Sequence, residues 1–232
     1  MERLLILTGA NGGIGLPLLQ KAMERNVHCL AVVRRPEILR GIENKCLHIS
    51  DYAGISSALE ILLSQYSFGE TRLLLNAFDI NPIEKASKLS RQVVEKNLDF
   101  NIITQIDLIV ACIGLGQKNG SKLSIVQLDS GAAYRPIPGW SLYCSGKAYL
   151  NMFLQTVATE EEIPIVLYEP GVVDTNMQNT IRSSREDAFP QVELFRSYKT
   201  EARLNDPEKI AQDLLERYVL SWKAESLREK FI

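Results

Sequence analysis

Ser130, Tyr143 and Lys147 fall inside one short span, "LDSGAAYRPIPGWSLYCSGKAYL", residues 128–150. Each of these side chains can hold or move a proton. On a helix, positions four apart share a face, so Tyr143 and Lys147 would project together. A free phenol has a pKa of about 10 and exchanges protons reluctantly at neutral pH. A nearby ammonium favours the phenolate and lowers that value. Ser130, expected at a strand end, can hold a substrate oxygen from the other side. The trio supplies the parts for protonating a carbonyl oxygen as hydride reaches its carbon. A tyrosine four residues before a lysine also occurs on helices that do no chemistry, so the surrounding elements must decide.

Short apolar runs occur at 4–7, 29–33, 73–75, 123–128 and 163–168. They lack two-residue alternation, as strands buried on both faces do. Helical patterns lie between and after them, near 14–25, 54–65, 90–115, 143–160 and 207–221. The last opens with Asp206-Pro207, a capping aspartate before a proline at the first helical position. This alternation predicts an α/β fold: a doubly wound parallel sheet of the Rossmann-like kind, with helices on both faces in three layers. One domain is expected over residues 1–232. Residues 174–205 read as a long irregular loop after a strand's carboxyl end, and so as a substrate lid.

Composition bounds the function. The chain has 232 residues, 46% apolar and 23% charged, with a net charge of −2. That balance gives no reason to expect a nucleic-acid partner. No apolar run approaches the roughly 20 residues that span a bilayer, and no secretory leader is evident, so no membrane association is expected. Cys29, Cys46, Cys112 and Cys144 are scattered, with no CxxC pair. Reduced thiols in a cytoplasmic protein without a metal site are therefore expected.

The first strand runs into "TGANGGIG". Gly9, Gly13 and Gly15 permit a tight turn and a close backbone approach to a pyrophosphate. Asn11 and Ile14 belong to the same cradle, and the helix beginning near Ile14 would aim its amino end at the anion. The second strand ends in "AVVRRPE". Arg34 and Arg35 stand where a ribose-binding carboxylate would select NAD(H). Guanidinium groups suit a 2′-phosphate instead, so the cofactor expected is NADP(H). Asp51, in "HISDY", has two readings: an acceptor for the adenine amino group, or a helix cap.

Taken together these segments resemble the short-chain dehydrogenase/reductase family, in its single-domain form. The family's glycine motif matches Thr8 to Gly15, and its catalytic serine and YxxxK match Ser130, Tyr143 and Lys147. The resemblance implies that Tyr143 donates the proton and that Lys147 lowers its pKa and holds the nicotinamide ribose. Ser130 would position the carbonyl, and the nicotinamide would deliver its pro-S hydride. It further implies that Asn97, in "EKNLDFN", is the active-site asparagine on a helix that holds a proton-relay water. Pro170, Val173 and Thr175, in "EPGVVDT", would lie against the nicotinamide. Asn76 and Ala77 match the family's "NNAG" segment, which reads "LNAF" here, with Phe78 in place of a small residue. "GWSLYCSGKA" and "PGVVDTNMQ" are similar to the sepiapterin and benzil reductase subgroup. No further strand or pterin-anchoring aspartate is recognisable toward residue 232.

The reading is NADPH-dependent reduction of a small-molecule carbonyl substrate by a homodimer or homotetramer. The oligomer is implied by the resemblance, through helices 90–115 and 143–160. The competing reading is a non-catalytic NADP(H)-binding sensor of the same fold. Trp140 is either a pocket floor or core, Met177 and Gln178 are candidate pocket residues, and Arg182 and Arg185 are lid cations. Cys144 reads as a packed thiol.

Overall fold

The computed structural model describes residues 2–33, 47–49, 57 and 67–231. Its strands are β1 (Arg3–Thr8), β2 (His28–Val32), β3 (Leu47–Ile49), β4 (Glu70–Leu75), β5 (Lys122–Leu128), β6 (Ile165–Glu169) and β7 (Arg228–Lys230). All pair in parallel, in the order β3-β2-β1-β4-β5-β6-β7. The order reverses beside β1, so the connections leaving β1 and β4 run to opposite faces of the sheet and open a crevice between them. This is the place where doubly wound sheets bind ligands.

Helices cover both faces. Leu5 and Leu7 of β1 pack with α1 (Gly15–Glu24) and α7 (Pro207–Leu214) on one side. Leu4 and Ile6 pack with α3 (Thr104–Asn119) and α4 (Ser141–Glu160) on the other. Successive strand residues therefore both meet core, which explains the unbroken apolar runs. Asp206 caps α7, its carboxylate accepting from the Glu208 amide at 2.9 Å, as the Asp-Pro signal predicted. The helix expected at 54–65 lies, apart from Ser57, outside the described residues.

Three expectations change. Residues 174–205 are not an irregular loop but carry α5 (Asn176–Arg182) and α6 (Val192–Thr200). Ile181, Phe189, Val192 and Phe195 bury against Ile137 and Trp140, so tertiary packing stabilises helices too short to persist alone. The base of this segment is closed by Asn205. Its side-chain amide donates to the Pro170 carbonyl at 2.8 Å and its backbone N–H to Val172 at 2.7 Å.

The chain also does end in a further strand, β7, beside β6. Only Glu229 of its three residues is buried, so no apolar pattern announced it. Glu229 is instead held by donors from Tyr218 and Arg217.

The third change concerns residues 91–119. This run is long and apolar enough to cross a membrane by length and composition alone. It is a sheet-covering helix here, because Leu108, Ile109 and Cys112 pack onto the strands. A π-turn, Asp99–Ile103, interrupts it between α2 (Arg91–Leu98) and α3.

Candidate active site

The crevice at the carboxyl edge of the sheet opens into a cavity of about 460 Å³. One wall is the turn after β1. Gly9 and Gly13 have φ of +64° and +54°, a region that favours glycine. A Cβ on Gly15 would lie 2.2 Å from the Gly9 carbonyl oxygen, so this residue must be glycine for the turn to close on α1. Gly15 is therefore a packing glycine and does not line the cavity, whereas Gly9, Asn11, Gly13 and Ile14 do. No side chain caps α1, and its first turn carries no acidic residue. The Gly15 and Leu16 amides turn back to the Gly12 carbonyl at 2.9 and 3.4 Å, so it is the positive dipole end of α1 that suits an anion such as a pyrophosphate.

Asn76 and Ala77 continue this wall from the end of β4. Their backbone amides both donate to Thr8 Oγ1 at 2.9 Å, and Asn76 Nδ2 donates to the Gly9 carbonyl at 3.0 Å. Asn76 thus fixes the shape of the glycine turn. Pro170, Val173 and Thr175 line the far side, with the Thr175 methyl 3.4 Å from where a Gly13 Cβ would stand. Arg34, Arg35 and Asp51 lie outside the described residues.

The opposite wall carries the proton-handling trio. Ser130 follows β5 and caps a 3-10 turn, its Oγ accepting from the Ala132 amide at 3.2 Å. Tyr143 and Lys147 project from the first turns of α4, both buried, and all three line the cavity. Burial pushes the Tyr143 phenol up to about 12, against a hydrogen bond with Ser130 that favours the phenolate. Burial pulls Lys147 down to about 8, opposed by the Asp129 carboxylate.

The expected acidification of the phenol by the lysine is absent from this arrangement. Lys147 Nζ lies 6.0 Å from the Tyr143 ring centroid and donates to the Leu128 carbonyl at 2.6 Å. Desolvation therefore dominates the tyrosine. A phenol held protonated is nevertheless competent as a proton donor.

Asn97 does not reach the cavity. It is buried on α2, where Nδ2 donates to the Asn81 carbonyl at 2.8 Å and Oδ1 has no partner among the described residues. Four residues on, Asn101 sits in the π-turn, fully buried. Its side chain clamps the backbone of Asp79, accepting from N–H at 2.8 Å and donating to the carbonyl at 2.9 Å. The π-turn also brings Phe100 to the cavity wall.

The remaining lining is largely aromatic and apolar: Phe78, Ile137, Trp140, Met177, Ile181 and Phe195. Trp140 stacks on Phe189 at 5.0 Å and meets Tyr143 edge-on at 5.4 Å, so it belongs to both the core and the floor. Gln178 also lines the cavity. Arg185 instead pairs with Asp187 and Glu84, and Arg182 bonds to Asn179. Cys144 packs beside the cluster as a free thiol. Asp129 was not foreseen. It is buried next to Ser130, accepting from Tyr134 Oη at 2.8 Å and Asn151 Nδ2 at 2.9 Å. Its place before Ser130 was visible, but its burial depends on Asn151, a full turn beyond Lys147. Among the described residues no cluster of ligating side chains could hold a metal ion.

Known proteins resemble the chain over most of its length. The family described as short chain dehydrogenase matches residues 3–186. A benzil reductase, (S)-benzoin forming, of Bacillus subtilis (strain 168) is 31% identical over 222 residues, covering 91% of each chain. Sepiapterin reductase of Mus musculus is 28% identical, covering 90% of this chain and 89% of its own. The crystal structure of the KRED1-Pglu enzyme superposes with a TM-score of 0.86 at 26% identity, over 98% of this chain and 99% of that one. The sheet order, the glycine turn and these matches agree, and the chain belongs to the short-chain dehydrogenase/reductase family of nicotinamide-dependent oxidoreductases.

Proposed function

We propose that the chain is an NADPH-dependent carbonyl reductase whose substrates are ketones and dicarbonyls with apolar or aryl substituents. The observation that carries this reading is convergence. Ser130, Tyr143 and Lys147 line one wall of a single cavity whose other wall is an uncapped helix end and a glycine turn. Residues Gly9 to Ile14, Asn76, Pro170, Val173 and Thr175 would hold the dinucleotide. When bound, the nicotinamide supplies the hydride.

The chain's own residues do the rest. Ser130 Oγ donates a hydrogen bond to the substrate oxygen and fixes the carbonyl. Tyr143 Oη gives its proton to that oxygen as negative charge develops. A phenol near pKa 12 stays protonated through neutral pH, and the developing alkoxide is the stronger base, so the transfer runs downhill. Lys147, on the same wall of the cavity, would hold the nicotinamide ribose. Ile137, Trp140, Phe195 and Met177 exclude water and favour an apolar substituent. The α5–α6 segment acts as the lid. For the proton-relay asparagine, the buried Asn101 at the π-turn is a better candidate than Asn97, whose side chain is turned to Asn81.

NADPH consumption, followed by its absorbance across a panel of benzil, aryl ketones and small α-dicarbonyls, tests the activity. The reading expects turnover of at least the aryl dicarbonyls. NADPH binding without oxidation across the panel would support a sensor instead. Replacing Arg34 and Arg35 by neutral residues should weaken NADPH binding about tenfold or more while sparing NADH. Equal losses for both would mean that these side chains do not read the 2′-phosphate.

A further inference from the structure

Phe78 occupies the position where the sequence pattern leads one to expect a small residue, and its surroundings are specific. The backbone on either side is pinned. Before it, the Ala77 amide donates to Thr8 Oγ1 at 2.9 Å and the Ala77 carbonyl accepts from Gln105 Nε2 at 3.3 Å. After it, Asn101 clamps both the N–H and the carbonyl of Asp79. The ring is thereby delivered to one place. Lys147 Nζ lies over its face, 4.2 Å from the centroid, and the Tyr143 ring stands perpendicular to it at 5.3 Å. Gly146 makes the room: a Cβ there would come within 3.0 Å of Phe78 Cζ.

We infer that Phe78 is a positioning residue of the proton-transfer site, holding the Lys147 ammonium in its charged form and setting the Tyr143 ring. This rests on the carbonyl-reductase reading above. An ammonium has three N–H donors. One reaches Leu128, and the aromatic face offers partial negative charge to another. Among the groups facing Lys147, Asp129 at the end of β5 favours the charged form, and Tyr143 on the same helix is neutral. Glu169 at the end of β6 and Arg135 after β5 line the same cavity. Burial already depresses Lys147, so loss of the ring's attraction should depress it further. Mere space-filling by Phe78 would not predict this.

The test replaces Phe78 with 3-fluoro- and 3,5-difluorophenylalanine, which keep the shape and drain the π face, and separately with leucine. Lys147 is titrated in the ligand-free protein by NMR of its ε-carbon, and the pH profile of kcat is recorded with NADPH and benzil. The expected result is a graded fall of the Lys147 midpoint, by about half a pH unit for the difluoro ring and about one unit for Phe78→Leu. The alkaline limb of kcat should move down with it. A midpoint unmoved across the fluorinated series, in folded protein, would overturn the inference. The NMR titration judges Phe78 without turnover. If none of the proteins oxidises NADPH, the reductase reading fails on its own account.

Discussion

Lys147 is a charged group buried at a cost to folding. Its pKa is lowered from the ordinary lysine value to about 8 by desolvation. Between that value and the unfolded lysine's, the unfolded chain binds more protons than the folded one. Stability from this group therefore rises with pH through that window and is penalised below it. Lys147→Met should accordingly raise stability at neutral pH by on the order of 1–2 kcal/mol while abolishing turnover. Chemical denaturation at pH 7 and pH 9.5 checks both parts: the gain should shrink at the higher pH. A variant less stable than the parent at pH 7 would mean that the Leu128 hydrogen bond outweighs the desolvation. The trio itself was legible because one span carries all three residues. The balance of its pKa values was not, because burial depends on Phe78 and Phe189 reaching the span from other parts of the chain.

Each wall of the cavity depends on an element that leaves no room for error. Gly15 lets α1 abut the Gly9 carbonyl, and Gly139, at φ +87°, lets the loop before α4 approach the Ala188 carbonyl, which a Cβ would meet at 2.3 Å. Gly15→Ala should cost about 2–4 kcal/mol of stability and most cofactor affinity. Gly139→Ala should cost a similar amount of stability but raise KM for the carbonyl substrate, since Ala188 and Phe189 support Trp140. Unfolding midpoints and binding isotherms for the two variants separate these outcomes. Identical losses of NADPH affinity would contradict the division into a cofactor wall and a substrate wall. The strands and main helices were readable at this scale because their apolar faces are long. Helices α5 and α6 were missed because each is short and apolar only where it meets Ile137 and Trp140. Strand β7 was missed because its one buried residue, Glu229, is charged and held by Arg217 and Tyr218.

Among the described residues, α3 and α4 cover the same side of the sheet and carry exposed apolar side chains. Val110 on α3 and Tyr149 and Met152 on α4 are more than half exposed, at 57%, 52% and 64%. We propose that a second copy of the chain covers them, in keeping with the oligomer that the sequence resemblance implied. Sedimentation of the parent protein should give at least a dimer, and Met152→Glu with Val110→Asp should shift it toward monomer. A monomeric parent at tens of micromolar would remove this proposal and leave the catalytic one untouched. At this scale the doubly wound parallel sheet was predictable from strand–helix alternation. The π-turn that separates Asn97 from Asn101 was not, since it has no signature in composition.

In the mechanism proposed above, Tyr143 hands its proton to a carbonyl oxygen beside the nicotinamide site. Its most direct test is single-turnover reduction of benzil by NADPH in Tyr143→Phe, alongside the variant's NADPH affinity measured by fluorescence. Affinity should stay within a few-fold of the parent's while the rate falls by about 10²–10⁴. A rate within a few-fold of the parent, with the cofactor bound, would contradict it.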